Sequence, residues 1–301
     1  MSNTLRIVHE TLYRYHQPVK LGQHRLVLRP REGHDLNVRS LNLTISPAFE
    51  LAWSRDVFGN SIALVDFNEP STELRIVSDV HVVRSDHLLT KSWKPSRDSS
   101  RPPVYDPLDR LVASAYQQTI YPDDASAVQT WLRDLPFEIP KGVRASIEAL
   151  NRHIHQTFPS KRREESGVLT PTQTIERGSG SCRDLATLLL EASRSLGLAA
   201  RFASGYLDCT ASELGVASTH AWTEVYLPGE GWRGFDPSLG EETDEKHVVT
   251  GVSNHPRGVM PVSGYYLGLA KHFKELKVAV RFEKSPGAPQ AAPYTPDPVG
   301  V

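Results

Sequence analysis

The 301-residue sequence has only two cysteines, Cys182 and Cys209, and no surplus of charge of either sign. Two cysteines cannot staple a small secreted scaffold, so a disulfide framework is excluded and at least one thiol is free for chemistry. With 34 basic and 35 acidic residues the formal net charge is -1, which gives nucleic acid or an anionic membrane nothing to bind by bulk charge. No apolar run approaches the roughly 20 residues needed to cross a bilayer. Met1 to Glu10 is polar and strand-like and lacks the apolar centre of a signal peptide, so the expected address is cytoplasmic. No internal repeat is visible, which argues against a solenoid or propeller. What remains is an ordinary globular composition, 39% hydrophobic and 23% charged, in a chain long enough for two modest domains.

The first 92 residues read as a β-rich domain. Short strands are expected at Leu5 to His9, His24 to Leu28, Leu41 to Ile45, Ser61 to Val65 and Leu74 to Val77, several of them alternating apolar with polar residues. Turn chemistry at Pro30 to Gly33, Ser46-Pro47 and Phe58-Gly-Asn60 separates them, as an antiparallel sandwich or barrel-like unit requires. Residues 93–124 carry Pro95, Pro102, Pro103, Pro107 and Pro122 and read as a linker. Residues 125–284 change architecture. Helices are expected at Ala125 to Leu135 and Val143 to Thr157, and the clearest one starts beside Cys182, runs to Leu196 and stops at Gly197. Strands return at Ala199 to Tyr206, His220 to Leu227, Trp232 to Asp236, Tyr265 to Leu267 and Leu276 to Phe282. Residues 285–301, rich in Pro, Ala and Gly, read as a disordered tail. The fold class is therefore α+β.

Chemistry concentrates at Cys182. A thiol reacts as its thiolate, and a helix start favours an anion through unpaired N–H groups and the positive end of the macrodipole. The same N–H groups can stabilise an oxyanion, and Gly178 and Gly180 leave the sulfur unshielded. A free cysteine at such a place is more often a small buried hydrophobe, so position alone decides nothing. A base is needed, and His220 in the alternating strand Thr219-His-Ala-Trp-Thr-Glu-Val-Tyr-Leu227 is the better candidate. His220, Trp222, Glu224 and Tyr226 share one face, while Ala221, Thr223, Val225 and Leu227 share the other. Asp236 lies on the returning strand, and register decides its use. A four-residue loop with Leu227 opposite Trp232 turns Asp236 away from His220; a three- or five-residue loop, or a bulge, puts it opposite Trp222, diagonal to His220 on the same face. In that register Asp236 can hold the imidazole tautomer while the other ring nitrogen takes the thiol proton.

Gly178-Ser-Gly-Ser-Cys-Arg-Asp-Leu-Ala186, Gly197-Leu-Ala-Ala-Arg-Phe-Ala-Ser-Gly-Tyr206, His220-Ala-Trp-Thr-Glu-Val-Tyr-Leu-Pro-Gly229 and Gly231-Trp-Arg-Gly-Phe-Asp-Pro237 closely resemble the core motifs of bacterial transglutaminase-like proteins, a papain-like cysteine-enzyme superfamily. Tyr13-Arg-Tyr15, Arg25-Leu-Val-Leu-Arg-Pro30 and Phe58-Gly-Asn60 resemble the β-rich domain that precedes this core, and Pro261-Val-Ser-Gly-Tyr-Tyr-Leu-Gly268 its C-terminal portion. The resemblance implies a papain-like transglutaminase core, in which a helix carrying the cysteine packs on an antiparallel sheet carrying the histidine and aspartate, with an all-β domain before it. It also implies that Cys182 is the nucleophile, His220 the base and Asp236 its partner. Ser238-Leu-Gly240 departs from the Thr-Asn-Gly or Thr-Ser-Gly usual after Asp-Pro, a change expected to touch the floor of the site more than its mechanism.

Trp222 is a candidate wall of the acyl site, although aromatic strand residues are more often core. Gln173 is a candidate oxyanion donor, as an upstream glutamine is in papain-like relatives, although a surface position is the commoner use. Arg183 and Asp184 are expected to form a local ion pair, and Cys209 to be a bystander. His153 and His155 point to different helix faces, so no metal site is expected there, and no cofactor is implied. The implied reaction is acyl transfer on a peptide or amide substrate through a thioester, with hydrolysis of the protease or amidase type ahead of protein-glutamine transglutaminase or deamidase activity. An N-glycanase-like amidase and a non-catalytic binding module that kept the fold are the rivals. Family association also suggests an ATP-grasp ligase-like partner.

Overall fold

A computed structural model describes residues 3–84, 100–161, 167–208 and 219–285. Cys209 and the tail expected to be disordered from 285 onward, apart from Ser285 itself, lie outside the described residues.

The expected N-terminal strands form, all but one of them longer than expected. The strands are β1 (Asn3–Leu21), β2 (His24–Leu26), β3 (Leu36–Ser46), β4 (Phe49–Arg55), β5 (Ser61–Phe67) and β6 (Ser71–Arg84). Of these N-terminal strands, β2 stops at Leu26 instead of Leu28, and β4 was not anticipated. The C-terminal strands β12 (Val262–Ser263), β13 (Tyr266–Leu267) and β14 (Phe273–Ser285), expected as part of the 125–284 core, join them instead. Strand β14 pairs along β1 from Thr4 opposite Ser285 to Tyr15 opposite Phe273, and β13 caps the far end of β1. Together with β6 and β3 they make a five-stranded sheet, while β12, β2, β5 and β4 make a four-stranded one. Local alternation says that a segment is a strand. It does not say which distant edge the strand will meet, and here the chain returns across its full length to close the first domain.

The stretch expected as a linker also builds structure. Helix α1 (Pro107–Gln117) starts on a proline in its first turn, where the missing N–H costs nothing, and Asp106 caps it by accepting from the Leu108 N–H at 2.9 Å. Its Ala113 is buried in a small cluster with Tyr105 and Ala199. Prolines at a helix start look the same in sequence as prolines in a linker.

The second unit has α2 (Ala125–Arg133), α3 (Val143–Thr157), α4 (Pro171–Arg177) and α5 (Cys182–Ser195). Its five-stranded antiparallel sheet comprises β7 (Ala200–Leu207), β8 (Thr219–Leu227), β9 (Gly231–Asp236), β10 (Glu241–Glu242) and β11 (His247–Ser253) in the order β10-β9-β8-β7-β11. Helix α5 is the centre of this unit. Leu185, Leu188, Leu189, Leu190 and Ala192 are all fully buried, because the sheet covers one side and α2 and α3 the other. Polar groups in so dry a helix need partners, and the Thr187 and Ser193 hydroxyls donate to carbonyls one turn back at 2.7 Å. Gly197 ends the helix with φ 77, the left-handed conformation anticipated for it. No helix among the described residues is long and apolar enough to cross a membrane.

The two units are joined by specific contacts. Leu5, Ile7, Val80 and Val82 share a core with Tyr206 and Val248 of the second sheet. Asn60 is fully buried and closes a two-way clasp on β11: its amide donates to the Val252 carbonyl at 2.7 Å and its oxygen accepts the Val252 N–H at 2.9 Å. Replacing Asn60 with Ala strands both backbone groups away from water. Thermal or urea unfolding should register a loss of about 2–4 kcal/mol.

Candidate active site

Cys182 is the first residue of α5, and Asp184 sets that start. Its carboxylate accepts the Ser181 N–H at 2.7 Å and the Leu169 N–H at 2.7 Å, which anchors the Gly-rich approach loop to the helix. Gly180 is required there, since a Cβ would come within 2.7 Å of the Asp184 Cβ. Asp184 therefore faces inward, and Arg183 reaches the other way, its Nη2 donating to Thr219 Oγ1 at 3.3 Å. The local ion pair expected between them does not form, because the loop donors claim the carboxylate. The Arg183–Thr219 contact brings the start of β8 level with the first turn of α5. Thr223 adds a second tie by donating to the Ala186 carbonyl at 2.7 Å.

The apolar face of β8, with Ala221, Val225 and Leu227, packs into the α5 core, so the alternation read from sequence is the real one. Register is resolved by the hairpin. Leu227 pairs with Gly231 and Thr223 with Phe235, which leaves a three-residue loop, Pro228 to Glu230. The positive φ of 80 at both Gly229 and Gly231 makes so tight a loop possible. Continuing the pairing sets Asp236 beside Trp222, on the face of His220. The two meet: His220 Nε2 donates to Asp236 Oδ2 at 2.6 Å. Cys182 lies close enough to the same imidazole for their charges to act on one another, and the ring nitrogen left free by the Asp236 bond is Nδ1.

Asp236 is fully buried and saturated with donors. Oδ1 accepts the Ser238 N–H at 2.9 Å and its hydroxyl at 2.7 Å, and Oδ2 receives His247 Nε2 at 3.3 Å besides His220. Ser238 thus supplies the hydroxyl at the position where the family usually has threonine, so the departure leaves this contact in place. His247 is a site residue the sequence reading missed. It lies 11 residues beyond Asp236 on a strand across the sheet, and only its occurrence after a short polar loop marked it.

The electrostatics follow from these contacts. Burial pushes the Cys182 thiol up, but the neighbouring His220 charge and hydrogen bond, with Arg183 behind them, outweigh it and hold the thiol below its ordinary value. Burial alone would lower the His220 pKa; the Cys182 and Asp236 charges reverse this and hold it well above its usual range. Asp236 is likewise raised by burial but brought far below the ordinary carboxylate range by His220, His247 and Ser238. All three shifts run toward a thiolate beside an imidazolium, backed by a carboxylate.

Two other candidates fare differently. Gln173 is exposed and closes the α4 cap, its side-chain oxygen accepting the Thr170 N–H at 3.0 Å; no contact with Cys182 or His220 occurs among the described residues. Trp222 is only 1% exposed and packs with Ala203 and Val252, its ring 6.4 Å from that of His220. It offers no face to a substrate and acts as a packing platform behind the base. His153 stacks with Trp131 and Phe137, and His155 Nδ1 lies 3.0 Å from the Ser238 carbonyl. His220, Asp236 and His247 place metal-ligating atoms within 4.8 Å of one another, but both imidazoles already spend Nε2 on the buried Asp236 carboxylate.

A cysteine at a helix start, facing a histidine and an aspartate on an antiparallel sheet, is the layout of a cysteine-based enzyme core. Residues 116–237 match the transglutaminase-like superfamily, and residues 5–83 match the bacterial transglutaminase-like N-terminal region. An uncharacterized protein of Mycobacterium bovis is 26% identical over 281 residues, covering 86% of both chains. Another from Mycobacterium leprae is 26% identical over 273 residues, covering 88% of this chain and 93% of its own. The crystal structure of a candidate cysteine protease from Cytophaga hutchinsonii superposes with a TM-score of 0.71 at 14% identity, over 96% of this chain and 93% of that one. The chain belongs to the transglutaminase-like superfamily, with the bacterial N-terminal region ahead of the core.

Proposed function

We propose that the protein is a cysteine-nucleophile acyl-transfer enzyme acting on amide bonds, with hydrolysis as its main outcome. The observation that carries this reading is the Cys182 thiol, at a helix start, beside an imidazole whose Nε2 is gripped by a buried carboxylate at 2.6 Å. Cys182 Sγ attacks the substrate carbonyl carbon, and the developing oxyanion meets first-turn N–H groups of α5. His220 gives its proton to the leaving amine, which departs and leaves a thioester on Cys182. Water then attacks the thioester, His220 takes its proton, and the thiolate is regenerated with release of a carboxylic acid. A primary amine in place of water would make the same enzyme a transglutaminase. Asp236 stays ionised throughout and holds the ring in the tautomer that serves both steps. Bacterial relatives of protease-like character and the lack of an evident calcium-binding loop in the sequence favour water as the acceptor. A cytoplasmic enzyme working beside an ATP-grasp ligase-like protein remains part of this reading.

Intact mass spectrometry after exposure to glutamine-peptide and amide libraries tests it. An acyl adduct on Cys182 that decays to free acid is the expected result; decay only in the presence of added primary amine would make transamidation the reaction. An unmodified thiol with every amide, together with alkylation by iodoacetamide no faster than that of a free cysteine, would instead favour a binding module. The thiolate–imidazolium pair sets the pH dependence. Alkylation of Cys182 should persist below neutral pH, where an ordinary thiol near 8.5 loses about tenfold in rate per unit. It should fall at acid pH as the thiolate is protonated, and turnover should fall at high pH as His220 loses its proton.

A further inference from the structure

His247 is a second imidazole on the same carboxylate, and nothing in the triad itself calls for it. Its side chain is 5% exposed, at the start of the edge strand β11, with β7 and β8 between it and β9. It packs edge-on against Trp222, ring centroids 5.2 Å apart. Gly205, paired with His220, leaves the room: a Cβ there would strike the Val248 carbonyl at 2.0 Å and the Trp222 ring at 2.9 Å. The backbone next to His247 and the ring it packs on both depend on that missing side chain.

The groups facing the ring are Asp236, Asp244, His220 and Trp222, and they determine which nitrogen carries hydrogen. Nδ1 lies 3.2 Å from the Asp244 N–H and 2.9 Å from Asp244 Oδ1. In the neutral ring Nδ1 accepts that N–H, so the hydrogen sits on Nε2. In the charged ring Nδ1 donates to the Asp244 carboxylate, and Nε2 again carries hydrogen. In both states Nε2 donates to Asp236 Oδ2. Asp244 is itself held by its turn, accepting the Lys246 N–H at 2.9 Å.

We propose that His247 is a positioning residue, a donor held by Asp244 in either charge state that aims the Asp236 carboxylate at His220. With His247 and Ser238 in place, Asp236 has donors on both oxygens and one direction left for His220. Remove the His247 donor and the carboxylate can turn, its grip on the imidazolium weakens, and the thiolate needs a higher pH to form. The inference rests on Cys182 and His220 forming the reactive pair, but its test needs no substrate.

The test is the rate of Cys182 alkylation by iodoacetamide, followed by peptide mass spectrometry across pH in the full-length protein. His247→Leu keeps the packing on Trp222 and removes the donor, and its acid limb should move up by about one pH unit, the scale of one hydrogen bond to a charged group. His247→Gln can return an N–H to the Nε2 position and should restore the wild-type profile. Should His247→Leu fail to fold, His247→Asn, whose donor sits at the wrong ring position, is expected to shift in the same way. A wild-type profile in the Leu or Asn variant, a shift to lower pH, or a Gln variant as impaired as Leu would overturn the proposal. The two readings fail separately: amide libraries that leave no acyl adduct sink the enzyme reading, while the alkylation profile still decides the part played by His247.

Discussion

Cys182→Ser is expected to lower amide turnover by about 10⁴-fold or more, with the melting temperature unchanged within a few degrees. Serine fits the space, so the folded core loses little. The chemistry is lost because a hydroxyl beside His220 is not ionised at neutral pH, whereas the thiol is drawn below its ordinary value by the His220 charge and Arg183 despite the opposing effect of burial. His220→Ala should cost a similar factor, since it removes both the charge that makes the thiolate and the proton the leaving amine needs. The double variant should be hardly worse than either single one, because the two residues act as a unit. Steady-state turnover of whichever amide yields the acyl adduct measures all three, and additive losses would contradict the pairing.

Asp236→Asn is expected to strike both activity and stability. An amide at this position points an N–H₂ group at donors it cannot satisfy: the His220 ring, the His247 ring and two groups of Ser238 all direct hydrogens toward the carboxylate. Turnover should fall by about 10³- to 10⁴-fold as the His220 tautomer is lost. Breaking a buried charge cluster by removing one partner costs about 3–5 kcal/mol, which for a chain of this size is a fall in melting temperature on the order of 10 °C. The pH dependence has a definite sign. The folded pKa of Asp236 is depressed, so its contribution is present above the unfolded value near 3.9 and is lost as pH falls through the folded one. His220 is the opposite case: its folded pKa is raised, so its contribution is full below about 6.5 and fades as pH climbs through the folded value. Wild type and Asp236→Asn should therefore differ most in melting temperature between about pH 4 and 6.5 and converge on strong acidification. A constant gap down to low pH would mean that the carboxylate is not ionised in the folded protein.

Much of this site was legible before any coordinates. Leu185, Leu188, Leu189, Ala192 and Leu196 at helical spacing, with Gly197 after them, define α5 and put Cys182 at its start. Alternation in β8 separates the His220 face from the face that packs on α5. Where reading failed, the cause was distance in the chain or a shared local signal. Proline marks both a linker and a first helical turn, so α1 was hidden in the 93–124 stretch. Gln173 and Trp222 have the right chemistry for a site, but the first is engaged in a helix cap and the second is enclosed by Ala203 and Val252.

By itself the sequence singled out Cys182 and His220, the face of β8 on which His220 lies and the family of the chain, because each rests on a motif of residues close together along the polymer. Whether Asp236 pointed at His220 or away from it hung on one residue of hairpin register, which the three-residue loop decides, with left-handed glycines at Gly229 inside it and Gly231 just after it. The return of β14 to β1, the clasp of Asn60 on β11 and the arrival of His247 at Asp236 were decided by tertiary structure alone. Pairing across such separations is selected by the free energy of the whole packed arrangement, and no local pattern encodes it.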